Sequence, residues 1–165
     1  GRMSDAACGQ HFTVILMSHG AVLVGGDNGC GQLGLGTMAL GPPPKNSVEP
    51  SQVHDVNTGR AQASNVPLPI PAMANKIVSS CACGAYHTLL TVLEPWNATP
   101  VVYAFGSNIH GQLGLGAGEL GWGMRGRHQS EPTIVTTLLK EHVLRVSCGD
   151  ASSFAVTEEG GLWGW

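Results

Sequence analysis

The stretch Gly31-Gln32-Leu33-Gly34-Leu35-Gly36 recurs letter for letter at 111–116. One phosphate-binding loop needs one copy, so exact recurrence eighty residues apart asks first for a repeat architecture. Working backward from each hexapeptide exposes a longer unit. Cys8-Gly9 opens the first copy, Cys83-Gly84 the second and Cys148-Gly149 a third. A hydroxyl residue stands five positions after each cysteine (Thr13, Thr88, Ser153), followed by an apolar run, a turn and a second apolar run.

Composition agrees with many short elements joined by tight turns. Of 165 residues, 42% are hydrophobic, 12% are charged and 24 are glycine. Charge is about half and glycine about twice the ordinary share, which argues against a helical bundle or a disordered chain. The formal net charge is −3, with no run of Lys or Arg. Direct nucleic-acid binding is therefore not expected, because phosphate contacts need clustered cations. No apolar stretch approaches the ~20 residues of a membrane helix. The five cysteines form no CxxC pair, so reduced, partly buried thiols are expected rather than a zinc site or disulfide framework. Asn97-Ala98-Thr99 reads as a turn.

The segments 77–82, 86–92 and 101–105 read as strands, as do 143–147, 153–157 and 162–165. None reaches the length of an ordinary helix. A fourth, edge-like strand falls at 67–72 and 132–137, where Pro67, Pro69, Pro71 and Pro132 are tolerated only at a sheet edge. Four short antiparallel strands per unit describe a propeller blade. The hexapeptide then has a structural role. Gly31, Gly34, Gly111 and Gly114 permit tight turning and close approach, Leu33 and Leu113 plug the core between blades, and Gln32 and Gln112 satisfy backbone groups of an adjacent turn. A phosphate cradle is disfavoured, because the Lys-Ser/Thr of a P-loop is absent.

The series Cys83, Gly84, His87, Thr88, Val102, Tyr103, Phe105, Gly106, Asn108, Gly111, Gln112, Leu113, Gly114 and Gly116 resembles the repeat of the regulator of chromosome condensation family. That resemblance implies an all-β fold, a partial β-propeller of two blade cores plus part of a third, and a fragment of a seven-bladed ring. The expected divisions are a first repeat core at 1–36, a polar, proline-rich insertion at 37–66 and a second repeat at 67–116. A linker insertion at 117–130 and a third, truncated repeat at 131–165 follow. Gly25 and Phe12 depart from the pattern, standing where the second copy has Phe105 and His87.

For function, the resemblance implies either a non-enzymatic protein–protein interaction module or guanine-nucleotide exchange on a small GTPase. Asp27 and Asp150, on repeat turns, and Trp96 and Trp122, in insertions, are the candidate partner contacts. His87 is expected to pack and hydrogen-bond within its blade, and Trp163 and Trp165 to be blade core. No catalytic residue, metal or cofactor is expected. The expected setting is intracellular, in cytoplasm or nucleus, with self-association through uncovered blade faces.

Overall fold

The computed structural model describes residues 1–36, 63–116 and 128–165. Strands β1 (Met3–Cys8), β2 (Phe12–Met17), β3 (Val22–Asp27) and β4 (Ala63–Pro69) form one antiparallel four-stranded sheet in that order. Strands β5 (Ile77–Cys83), β6 (His87–Leu93), β7 (Val101–Gly106) and β8 (Gln129–Ile134) form a second, and β9 (Val143–Cys148), β10 (Ser153–Thr157) and β11 (Leu162–Gly164) a three-stranded third. These are successive blades of a β-propeller.

Burial follows from stacking. The second sheet lies between the other two, so β6 and β7 are buried on both faces and read as continuous apolar runs. In β2, covered on one face, burial alternates with a period of two. One core joins Val14, Leu16, Val22 and Val24 to Leu90, Val92, Tyr103 and Phe105, with Leu33 as a fully buried plug. A second joins Leu89, Val102 and Ala104 to Val143, Val146 and Ala155, with Leu113 in the corresponding place.

The edge-like strand lies a few residues earlier than the proline pattern suggests. Its first copy is β4, paired through Leu23–Pro69 and Val24–Leu68 to the first sheet; its second is β8, paired to β7. Both are edge strands, where a proline removes no ladder hydrogen bond. Pro71 instead opens a 3-10 turn at Pro71–Met73, for which its fixed φ is already suited. The sequence repeat and the sheet are thus out of phase. The division between 66 and 67 falls inside β4, a strand of the first sheet.

Candidate functional site

The two GQLGLG turns have the same internal wiring. Asn28 Oδ1 accepts the Leu33 N–H at 3.0 Å, and Asn108 Oδ1 accepts that of Leu113 at 3.1 Å. Gln32 Oε1 accepts the Cys30 N–H at 2.8 Å, and Gln112 Oε1 the His110 N–H at 2.9 Å. The glutamine amide therefore serves its own turn, rather than an adjacent one. Gly34 and Gly114 have φ of 66° and 64°, in the left-handed region, and donate back to Gly31 and Gly111. With the N–H groups of residues 30, 33 and 34 spent inside the turn, a phosphate finds no cradle there.

The same turns latch sheet to sheet. The Gln32 carbonyl accepts Thr88 Oγ1 at 2.9 Å from the second sheet. The Gln112 carbonyl accepts Ser153 Oγ at 2.6 Å and Trp165 Nε1 at 2.9 Å from the third. An aromatic ring of the following unit lies against each fourth-position glycine: a Cβ on Gly34 would sit 2.8 Å from Phe105, and one on Gly114 2.7 Å from Trp165. The Cys-Gly glycines make room in the same way, for Phe12 above Gly9, His87 above Gly84 and Ser152 above Gly149. This explains why the sequence repeats glycine at these places.

His87 differs from expectation in its partner. Its Nε2 lies 2.9 Å from Ser153 Oγ of the neighbouring sheet, so it bridges blades instead of staying within one. Ser153 spends its only hydrogen on the Gln112 carbonyl, so His87 must donate and Ser153 accept. That polarity is the reverse of an activated nucleophile, whose base takes the hydroxyl proton. Burial lowers the His87 pKa to about 4, against a smaller opposing contribution from the Ser152 backbone, and Nδ1 is buried without a partner among the described residues.

All five cysteines are free. Burial raises the Cys81 thiol to about 11 and Cys148 to about 12, and pushes Cys83 higher still. Among the described residues no group of three or more His, Cys, Asp or Glu is arranged to hold a metal.

The three candidate contact residues that the structure describes are not brought together. Asp27, at the end of β3, is committed internally: its carboxylate accepts Gln32 Nε2 at 2.7 Å and the Gly29 N–H at 3.1 Å. Asp150 is exposed on the β9–β10 turn, and its carbonyl accepts the Ala85 N–H. Trp96 is 60% exposed on the β6–β7 connection, at the opposite end of the sheets from the two aspartates. Trp122 lies outside the described residues. Trp165 packs against the second core, whereas Trp163, expected in the core, is 41% exposed.

Two groupings escaped the sequence. At the turn end, the Ser107 N–H donates to the Tyr86 carbonyl at 2.8 Å, holding two turns together. They display Tyr86 and Ile109, 37% and 56% exposed. The turns are tied across sheets, Gln10 N–H to the Ala85 carbonyl and Ala85 N–H to the Asp150 carbonyl, each 3.1 Å. At the other end, Glu94 is buried and ion-paired to Lys76, while Tyr103 donates to it at 2.6 Å. Burial pushes the Glu94 carboxyl up, but the Lys76 ammonium and Tyr103 hydroxyl outweigh it and hold the pKa below the ordinary value.

Comparison with known proteins agrees with this geometry. The chain is 26% identical over 192 residues to the human probable E3 ubiquitin-protein ligase HERC4, spanning 99% of this chain and 17% of that protein. It is 28% identical over 160 residues to the human X-linked retinitis pigmentosa GTPase regulator, spanning 96% of this chain and 12% of that one. The chain thus spans less than a fifth of either relative. The solved structure of Prp20p from Saccharomyces cerevisiae, described with its binding to Gsp1p and histones, superposes with a TM-score of 0.68. That match has 21% identity and covers 96% of this chain and 32% of Prp20p, a likeness of fold. The family model for the regulator of chromosome condensation (RCC1) repeat matches residues 19–91 and 101–156. With its hexapeptide turns, inter-sheet latches and stacked sheets, the chain belongs to the RCC1-repeat family.

Proposed function

We propose that the chain is a non-enzymatic protein–protein interaction module that contacts its partner through the turn end of the sheets. The observation that supports this is the exposure of Tyr86 and Ile109 on turns joined by the Ser107–Tyr86 hydrogen bond, the Tyr86 turn being tied across sheets by the Gln10–Ala85–Asp150 series. An aromatic and an aliphatic side chain on a rigid backbone lose little freedom on binding, and Tyr is over-represented among residues that dominate interfaces. Asp150 sets an acidic group on the same end, which favours a partner with a complementary basic group. Asp27 holds its turn together and supports the surface from beneath. Trp96, at the far end, serves a separate contact.

The test compares capture of cellular proteins by the native chain with capture by Tyr86→Ala/Ile109→Ser. The reading expects a defined partner on the native chain and its loss from the variant, with the far-ultraviolet circular dichroism unchanged. Equal capture by both would overturn it.

A second reading, nucleotide exchange on a small GTPase, draws on the relative named as a GTPase regulator. Fluorescent-nucleotide release from a panel of small GTPases separates the two. We expect release at the spontaneous rate. Stimulation that disappears with Asp150→Ala would transfer the assignment to exchange.

A further inference from the structure

A cavity of about 290 Å³ opens where the first and second sheets meet. Gly34, Leu35 and Gly36 of the first hexapeptide form one wall, and Pro71 and Ala72 of the connection after β4 a second. Glu131 and Pro132 of β8 form the third. These walls are fixed without a ligand. The Gly36 N–H donates to the Ser130 carbonyl at 3.0 Å, clamping the turn to β8. Leu35 packs against the first core. Pro71 opens a 3-10 turn closed by Met73 N–H on the Ile70 carbonyl and Ala74 N–H on the Pro71 carbonyl. Small-molecule sites span roughly 300–1,000 Å³, so a space at the bottom of that range suits one side chain rather than a whole cofactor.

The lining is apolar apart from one charge. Glu131 is exposed and makes no ion pair among the described residues. Its side chain lies across Gly36, with Oε1 3.4 Å and Cγ 3.7 Å from where a Cβ on that glycine would stand. The blade itself does not demand this chemistry. Ser64 and Leu68 pair with β3 as Gln129 and Thr133 pair with β7, so Val66-Pro67 in β4 answers to Glu131-Pro132 in β8. In the same way Pro71-Ala72 answers to Thr136-Thr137. The carboxylate and the Pro71-Ala72 wall are therefore particular to this junction.

We infer that this cavity receives an arginine side chain of a protein partner, its methylene stem against Leu35, Pro71 and Pro132 and its guanidinium donating to the Glu131 carboxylate. Apolar walls suit the stem and the unpaired carboxylate suits the head, a combination that only a long cationic side chain satisfies. Arginine fits better than lysine. Its planar fork meets a carboxylate with two parallel N–H donors, and it is more weakly hydrated than an ammonium, so it loses less on entering a partly enclosed space. Neither Tyr86 nor Ile109 lines the cavity, so this contact stands or falls separately from the one at the turn end.

A nuclear magnetic resonance titration of the isotope-labelled chain with Nα-acetyl-arginine methylamide tests this, the citrulline analogue serving as the neutral isostere. Saturable shifts are expected at the Leu35, Gly36 and Ala72 amides, with the arginine probe bound about tenfold more tightly than the citrulline probe. Glu131→Gln should remove that difference. Ala72→Phe, which fills the cavity, should abolish the binding of both probes. Both substituted residues are exposed, so the circular dichroism of each variant should match the native chain. An absence of shifts at these amides up to the solubility of the arginine probe would overturn the inference. Equal binding of the two probes, or a Glu131→Gln variant that still prefers arginine, would overturn the pairing with Glu131. Shifts that survive Ala72→Phe would put the probe outside the cavity and overturn the site as well.

Discussion

Replacing Gly34 by alanine separates the two demands that the hexapeptide makes on its fourth position. The first is local: φ is 66°, and an L-residue in the left-handed region costs roughly 1–2 kcal/mol. The second is contact, since the new methyl would lie 2.8 Å from Phe105 Cε2. Phe105 is fully buried, so it can yield only by repacking, at a further ~1–3 kcal/mol. The expected total is about 2–5 kcal/mol, a large part of the ~5–15 kcal/mol that holds a typical domain folded. Gly111→Ala is the internal control. Its φ of 86° carries the first cost, but no atom of the described residues lies within 4 Å of the added methyl, so it should lose only about 1–2 kcal/mol. Urea unfolding gives both values. Adding Phe105→Leu to Gly34→Ala should cost less than the two single changes summed, because the smaller side chain relieves the collision. Equal losses for Gly34→Ala and Gly111→Ala, or strict additivity with Phe105→Leu, would refute the stacking argument.

Burial keeps His87 neutral in the fold, with a pKa near 4, against about 6.5 unfolded. The unfolded chain therefore binds the extra proton first. This contribution to stability is fully present above about pH 6.5 and declines, by up to ~3 kcal/mol, as pH falls toward 4; denaturant midpoints for His87→Phe should lose that slope. Lys76→Met strands the buried Glu94 carboxylate and should cost about 2–4 kcal/mol, less than the full range for a buried pair because Lys76 is partly exposed. Glu94→Gln should cost less, since the Tyr103 hydroxyl can still donate to the amide oxygen; equal melting-temperature losses would contradict this. In the native chain near pH 8, alkylation should reach exposed Cys8 first and spare Cys83 and Cys148 until unfolding, as peptide mass mapping would show.

What was legible in the sequence was what repeats locally. Strands β6 and β7 announce themselves because stacking on both faces selects an unbroken apolar run. The hexapeptide does so because its turn needs the same glycines, leucine and glutamine each time. β4 was displaced in the reading because Ser64 and Val66 carry no alternating pattern; the strand is held by pairing to β3, and Ser64 Oγ bonds the Val66 carbonyl at 2.8 Å. The His87–Ser153 bridge spans 66 residues of sequence and the Lys76–Tyr103 contact 27, distances over which no local pattern operates. Trp163 was read as core from its setting, yet whether a ring is covered depends on the neighbouring face. For Asp27 the turn position was readable, but the demand of Gln32 on its carboxylate was not.

The phase difference between repeat and sheet determines where the chain can be divided. A cut between 66 and 67, the natural place by sequence, would split β4 and leave the exposed edge of β3 partly unpaired. A cut between Pro69 and Ile77 would instead leave both four-stranded sheets whole. Swapping units between related proteins, or grafting one onto a new scaffold, should therefore use junctions in this connection. There the outermost strand of one blade has been completed and the innermost strand of the next has not begun.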